Sequence, residues 1–258
     1  MRYDIRLTIE YRYQAASDHV RNILRLLPSD GPGQRVAARV LTVTPPPDER
    51  RDDVDFFGNA TSVVAWHEPI DTITLQVQAE AERFAPMLAD LSPPLADLAQ
   101  DLAGLGLGPS SPWHFLAPSP RIRPEAPITA FARQVTAPGQ GVGGQAVGGQ
   151  SVRALVEALG QALHAAMTYD AEATDVNTPP LVAFAQRRGV CQDFAQIMIA
   201  GLRALGVPAA YVSGFLRTYP PEGQPRLEGV DAMHAWVAAW CGAAQGWVEY
   251  DPTNAQWA

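Results

Sequence analysis

An α+β fold is predicted for this 258-residue chain, on three observations. Several runs in the first third alternate polar and apolar side chains with a period of two, as half-buried antiparallel strands do. Farther along, two segments repeat apolar residues at the 3.6-residue period of helices. After the second of these come further strand-like runs, the last two spaced as a hairpin. The length admits one large domain or two ordinary ones, each able to bury a core. The expectation is an N-terminal antiparallel β-rich domain over residues 1–117, followed by a helix-and-sheet domain over 118–258.

The elements follow in order. In residues 3–13, Tyr3, Ile5, Leu7, Ile9, Tyr11 and Tyr13 share one side of a strand. Residues 20–27 form a short apolar segment before the turn-rich run Pro28-Ser29-Asp30-Gly31-Pro32-Gly33. Strands are expected over 35–44, 60–68 and 71–80, the last with Ile73, Leu75 and Val77 on one face. Pro45-Pro46-Pro47 and the charged DERRDD stretch are read as a connection between the first two of these. From Arg83 to Gly108 the chain turns to Ala, Leu, Asp and Pro, consistent with short helices broken at Pro86 and Pro93-Pro94. Residues 109–128 are rich in proline and read as an extended connector. Residues 139–150 nearly repeat Val-Gly-Gly-Gln, which builds no core and reads as a flexible surface loop or linker; a lid over an active site is the sharper alternative.

Residues 151–167 carry a helical stripe of Val152, Leu155, Val156, Leu159, Leu163 and Ala166, with Ser151 as N-cap. A short helix is expected over 181–186, stopping near Arg187-Arg188-Gly189. A second striped helix starts at Cys191, buries Phe194, Ile197, Met198, Gly201, Leu202 and Leu205 along one side, and ends at Gly206 and Pro208. A strand over 209–216 and a loop over 218–231 then lead to the strand bearing His234.

Composition excludes several functions. Apolar residues make up 47% and charged residues 18%, an ordinary globular balance. A net charge of −8 argues against a nucleic-acid footprint, which needs a basic face. Two cysteines are too few for a disulfide framework or a thiolate zinc site, and the five histidines lack ligand spacing, so no metal is expected. The N-terminus MRYDIRLTIEYRY has no signal-peptide core, and no window approaches a membrane span. A cytoplasmic protein without membrane partners is the expectation, in reducing surroundings that keep a thiol free. All 19 basic residues are arginine, so an enzyme joining acyl groups to lysine would present no acceptor of its own.

The chemistry lies in RRGVCQDFAQIMIAGLRALGVP and MHAWVAAWCGAAQGWVEYDPTN. Cys191 stands at a helix N-terminus, where the dipole and free amides favour thiolate. If His234 opposes Asp251 across an antiparallel hairpin, Cys241 opposes Ala244 and the turn is Gly242-Ala243, a tight turn with its glycine. His234 alone reads as a core or surface histidine, and Asp251 alone as a turn former before Pro252. Their shared register makes them base and orienter for Cys191. Cys241 has no base and is taken as structural, Trp236, Trp240 and Trp247 as packing, and Asp193 as a favourable charge in the first helical turn. Tyr169 and Gln186 are candidate oxyanion donors.

In GVCQDFA, LRALGVPAAYVSGF, HAWV and GWVEYDPTN the chain resembles the transglutaminase-like superfamily of cysteine enzymes. YDIRLTIEYRY, FFGNATSVV and TITLQVQAEAE resemble the β-rich region that precedes the core in a bacterial subgroup. The resemblance implies a papain-like core, with the helix of Cys191 packed on an antiparallel sheet bearing His234 and Asp251. It also implies thiol-mediated acyl chemistry on an amide, without a cofactor, through a thioester acyl-enzyme that passes to water or an amine. The chain departs from the pattern in its Gly/Gln-rich insertion at 139–150 and in the few residues beyond Asp251, where a closing segment would be expected. The leading expectation is a cysteine protease or amidase acting on a peptide or protein substrate. A protein-glutamine acyltransferase uses the same groups with an amine acceptor, and a non-catalytic scaffold would keep only the fold. Oligomeric state and natural substrate are left open by the sequence.

Overall fold

The computed structural model of the chain describes residues 1–31, 33–84, 89–137, 150–215 and 233–258. The proposed helix break at Pro86, the Gly/Gln-rich stretch apart from Gln150, and the loop over 218–231 lie outside the described residues. Two compact units are formed, one within Met1–Leu88 and the other from Ala89–Ser213 with Met233–Ala258.

The first unit holds β1 (Arg2–Ser17), β2 (Arg21–Leu24), β3 (Gln34–Thr44), β4 (Glu49–Val54), β5 (Ala60–Ala65) and β6 (Ile70–Arg83). They form two three-stranded antiparallel sheets, ordered β1-β6-β3 and β2-β5-β4. Ile73, Leu75 and Val77 of β6 share one buried cluster with Val64 of β5, so the alternation read from the sequence is that of two sheets facing across a core. The DERRDD stretch is corrected here. It was expected to be a connection, yet Glu49–Val54 is strand β4, paired with β5 from Glu49↔Ala65 to Val54↔Ala60. Every residue of β4 is exposed, as suits an edge strand guarded by charge, and its pairing with β5 overrides a poor intrinsic strand propensity.

The second unit begins with a short α1 (Leu98–Ala103), then α2 (Ala126–Val135), α3 (Val152–Ala166), β7 (Thr168–Tyr169), α4 (Pro180–Gln186) and β8 (Arg188–Gly189). Next come α5 (Cys191–Ala204), β9 (Ala209–Phe215), β10 (Met233–Trp240), β11 (Trp247–Asp251) and β12 (Gln256–Trp257). The main sheet is ordered β12-β11-β10-β9, so β12 covers the edge beyond the Asp251 strand, where the sequence suggested no closing segment. Helix α2 was not expected: the connector assigned to 109–128 runs into it. Pro127 stands in its first turn, where a proline loses nothing because that N–H has no helical partner, so this proline begins a helix instead of extending a linker.

Helix α3 starts as its sequence predicts, with Ser151 Oγ accepting from the Ala154 N–H at 3.2 Å. Helix α5 is more enclosed than the predicted stripe. Ala195, Gln196, Ile199 and Ala200 are buried along with the striped residues from Phe194 to Leu202, because α2, α3, α4 and β10 all pack around it, while Leu205 just past its end is half-buried. A helix buried on every side makes a rigid mount for its first residue.

One close approach holds β11 against α3. A Cβ at Gly160 would stand 2.0 Å from Tyr250 Cε1, so only glycine lets the tyrosine ring lie on the helix backbone. Gly160→Ala is expected to destabilise the protein by about 3 kcal/mol through overpacking, read as a lower urea midpoint at an unchanged m-value.

Candidate active site

The site is assembled where the first turn of α5 meets β10. Cys191 is the first residue of α5, and Val190 before it is the N-cap. Valine offers no side-chain acceptor, and Asp193 supplies the capping from inside the helix, accepting from the Val190 N–H at 2.8 Å and from the Thr174 hydroxyl at 2.6 Å. Its carboxylate is fully buried and lies against Gly189, where a Cβ would come within 2.5 Å of Asp193 Oδ2. Gly189 therefore permits the close packing that fixes the turn before the sulfur. Asp193 had been read as a simple charge at the positive helix end. The structure makes it the anchor of that end, tying in the segment that carries Thr174, a contact no local pattern announces.

The His234 imidazole and the backbone N–H groups of Gln192 and Ala235 lie near enough to the sulfur to stabilise its negative charge. His234 Nε2 donates to Asp251 Oδ2 at 2.9 Å, which leaves Nδ1 as the ring nitrogen for Cys191. Asp251, fully buried, also accepts from the Thr253 N–H at 2.9 Å and from Asn254 Nδ2 at 2.6 Å. The DPTN turn thus fixes the carboxylate that fixes the imidazole. Asn254 and Thr253 were not singled out in the sequence, although an Asx-type turn after Asp251 was available as a signal.

The assumed hairpin register is corrected. Strands β10 and β11 pair Val237↔Tyr250 through Trp240↔Trp247, which continues to set Asp251 opposite Trp236, diagonal to His234. The turn is wider than Gly242-Ala243. Its backbone bonds run from the Cys241 N–H to the Gly246 carbonyl at 2.9 Å and from the Gly246 N–H to the Gly242 carbonyl at 2.8 Å. Gly242 and Gly246 both take positive φ, at 97° and 73°. Tertiary anchors favour the wide turn: Asp101 accepts from the Ala243 N–H at 2.9 Å, and Gln245 Oε1 from the Leu91 N–H at 2.6 Å. A two-residue slip preserves strand faces, so His234 and Asp251 still share one face and meet as diagonal neighbours.

Burial alone would raise the thiol of Cys191, but the hydrogen bond and charge of His234, with the Ala235 and Gln192 amides, outweigh it and lower its pKa. Burial likewise opposes charging of His234, yet the bonds to Asp251 and Cys191 prevail and raise the imidazole to about 9. Asp251 is lowered: its burial is overcome by His234, Asn254 and Thr253. The arrangement sets in series a thiol lowered from its ordinary range, an imidazole raised from its own and a lowered carboxyl. Cys241 is the opposite case. It is buried, donates to the Ala239 carbonyl, and is pushed up to about 12 by desolvation and the charge of Asp90.

Trp236 lies nearly parallel to the His234 ring at 6.3 Å and donates to Glu249 Oε2 at 3.0 Å, while Trp240 and Trp247 pack into the core. Tyr169 on β7 is 58% exposed and Gln186 ends α4 on the surface. Neither side chain is hydrogen-bonded to Cys191 or His234 among the described residues. The phenol in the field of the sulfur is instead Tyr211 of β9, raised to about 12 by burial and by the negative charges of Cys191 and Asp193. Among the described residues no cluster of three His, Cys, Asp or Glu side chains is gathered for a metal.

A buried helix that brings a cysteine to a histidine and an aspartate on neighbouring antiparallel strands is the arrangement of a papain-like core. Residues 3–82 match the bacterial transglutaminase-like N-terminal region, and residues 142–252 match the transglutaminase-like superfamily. Uncharacterized protein Rv2569c of Mycobacterium tuberculosis is 34% identical over 267 residues, spanning 99% of this chain and 79% of that protein. A Pseudomonas aeruginosa protein-glutamine gamma-glutamyltransferase is 36% identical over 105 residues, 39% of this chain and 16% of that one. The solved structure of a candidate cysteine protease from Cytophaga hutchinsonii has the same fold, with a TM-score of 0.70 at 21% identity over 98% of this chain and 76% of that one. The chain belongs to the bacterial transglutaminase-like superfamily.

Iodoacetamide is expected to alkylate Cys191 rapidly at and below neutral pH and to leave Cys241 untouched in the folded protein, as mapped by peptide mass spectrometry. In His234→Ala the reaction at Cys191 should slow by at least about tenfold at pH 6 and rise only toward the ordinary thiol range near 8.5.

Proposed function

We infer that this protein is a cysteine-dependent amide hydrolase acting on peptide or protein substrates. The observation that carries the reading is the series Cys191–His234–Asp251, with the imidazole beside the sulfur and hydrogen-bonded to a buried carboxylate. Cys191 attacks the carbonyl carbon, and backbone N–H groups at the start of α5 are suited to donate to the developing oxyanion. His234 gives its proton to the departing amine, leaving a thioester on Cys191. It then takes a proton from the attacking water, and the thiolate leaves as the carboxylic acid product forms. Asp251 keeps the imidazole in one tautomer and stabilises its cation. A reducing compartment, the cytoplasm, suits a free reactive thiol of this kind.

The similarity to a protein-glutamine gamma-glutamyltransferase supports a second reading, in which an amine and not water takes the acyl group. The thioester and the residues are the same, and the outcome depends on which nucleophile the site admits. Incubation with a glutamine-bearing peptide and a labelled primary amine separates the two. Product mass is expected to show hydrolysis, and dominant amine incorporation would assign the transferase instead.

Cys191→Ala should abolish turnover while circular dichroism stays unchanged, and turnover retained by that variant would eliminate the mechanism. His234→Ala should cost more in kcat than Asp251→Asn, since proton transfer is lost and not merely its alignment. The profile of kcat/KM against pH should be bell-shaped. Its acid limb reports the lowered Cys191, and its alkaline limb lies near 9, where His234 loses its proton. Asp251→Asn removes the charge that raises His234, so the alkaline limb should move toward lower pH.

A further inference from the structure

The end of β10 that carries His234 is tied to β11 by side chains. The ladder between the two strands runs from Trp240↔Trp247 to Val237↔Tyr250 and is not continued to Trp236, Ala235 or His234 among the described residues. Two side-chain bonds take over there. His234 Nε2 donates to Asp251 Oδ2 at 2.9 Å, and Trp236 Nε1 donates to Glu249 Oε2 at 3.0 Å. They are one contact repeated a pleat apart: each ring on β10 reaches a carboxylate on β11 two residues before the position opposite it. All four side chains therefore share one face of the sheet, with Ala235 and Tyr250 between them turned to the other.

The second bond bears on the first through the rings. Asp251 fixes the imidazole within its plane, and Trp236 lies along its face, with centroids 6.3 Å apart and planes 26° from parallel, the range of an offset stack. Trp236 is only 8% exposed, and a buried indole N–H needs an acceptor; among the described residues Glu249 supplies it. Without that acceptor the indole is free to turn about its side-chain torsions, and the surface beside the imidazole loses its fixed angle. Ala235, between the two rings, contributes the N–H that lies near the sulfur, so the same bond steadies the backbone that delivers this donor. Glu249 makes no hydrogen bond or ion pair with Cys191 or His234 among the described residues, and whatever it does for them passes through the indole.

We propose that Glu249 is a positioning residue for the cysteine chemistry: through Trp236 it holds the His234 imidazole at the angle that keeps Nδ1 toward the sulfur. This rests on the reading of Cys191, His234 and Asp251 as a working series. The position requires an acceptor oxygen and not a charge, so a glutamine amide there serves the same bond, whereas an apolar side chain does not.

The test uses the full-length protein and two readouts: the rate at which iodoacetamide alkylates Cys191 at pH 6, which needs no substrate, and kcat and KM on the glutamine-bearing peptide. Glu249→Leu is expected to slow alkylation about threefold and to lower kcat about tenfold, with KM within about twofold of wild type. Glu249→Gln should restore both rates to within about twofold. In Trp236→Phe there is no indole N–H to hold, so adding Glu249→Leu to that background should move neither rate by more than about twofold. Circular dichroism and the thermal midpoint accompany each variant, with Glu249→Ala taking the place of Glu249→Leu where leucine does not fold. A lowered midpoint with alkylation and kcat unchanged would reduce the bond to a structural one and overturn the proposal. So would Glu249→Gln as slow as Glu249→Leu, or losses that simply add in the double variant. Alkylation that depends on Glu249 and is restored by glutamine, in a protein that turns over no amide, would keep the positioning role and remove the hydrolase. Wild-type turnover that Glu249→Leu leaves intact would do the reverse.

Discussion

The N-terminus of α5 must meet β10 at one point for this molecule to have any chemistry, and much of the second unit serves that contact. A sulfur at the first helical position, a ring at His234 and the N–H of Ala235 come together there. Each belongs to an element whose placement is settled by burial elsewhere: α5 by the helices and strand that enclose it, β10 by its pairing with β11. The polar contacts at the meeting point are few, and their alignment is inherited from the close-packed apolar core around them. Asp193 and Gly189 perform the last adjustment, holding the turn into α5 by a buried carboxylate and a missing side chain.

The two cysteines show that burial by itself does not decide reactivity. Both are removed from water to a considerable degree, which disfavours thiolate in each. Cys191 escapes because an imidazole, backed by a carboxylate, offers charge and a hydrogen bond. Cys241 meets a backbone carbonyl and remains a small hydrophobe in the wall of the core. The same comparison explains why Asp251 is buried without becoming neutral: His234, Asn254 and the Thr253 N–H replace the water it gave up.

The parts of the structure legible in the sequence were those with a local physical cause. Ile73, Leu75 and Val77 announce a strand face through their spacing, and Ser151 announces a helix start through its hydroxyl. Cys191 was readable from its place at a helix start, whereas His234 and Asp251 were joined through an assumed register that the structure shifts by two residues while keeping both on one face. Strand β4 was hidden, since six exposed and mostly charged residues become a strand only when β5 offers them a ladder. The wide hairpin turn was hidden for a similar reason. Its anchors, Asp101 and Leu91, lie more than a hundred residues away in sequence. Helix α2 was masked by proline, a residue that both ends extended segments and starts helices. The bond from Thr174 to Asp193, and the approach of Tyr211 to the sulfur, are tertiary facts with no signature in spacing.

The seat of Tyr250 on Gly160 ties two distant sequence positions to one another. The tyrosine immediately precedes Asp251, so whatever governs the ring's depth also governs where the carboxylate stands. A descendant of this protein could acquire a side chain at 160 only after, or together with, a smaller residue at 250. Its evolutionary path is thereby constrained: helix α3 and the acid-bearing strand must drift as a matched pair, and aligned relatives should preserve the sum of the two volumes more faithfully than either residue.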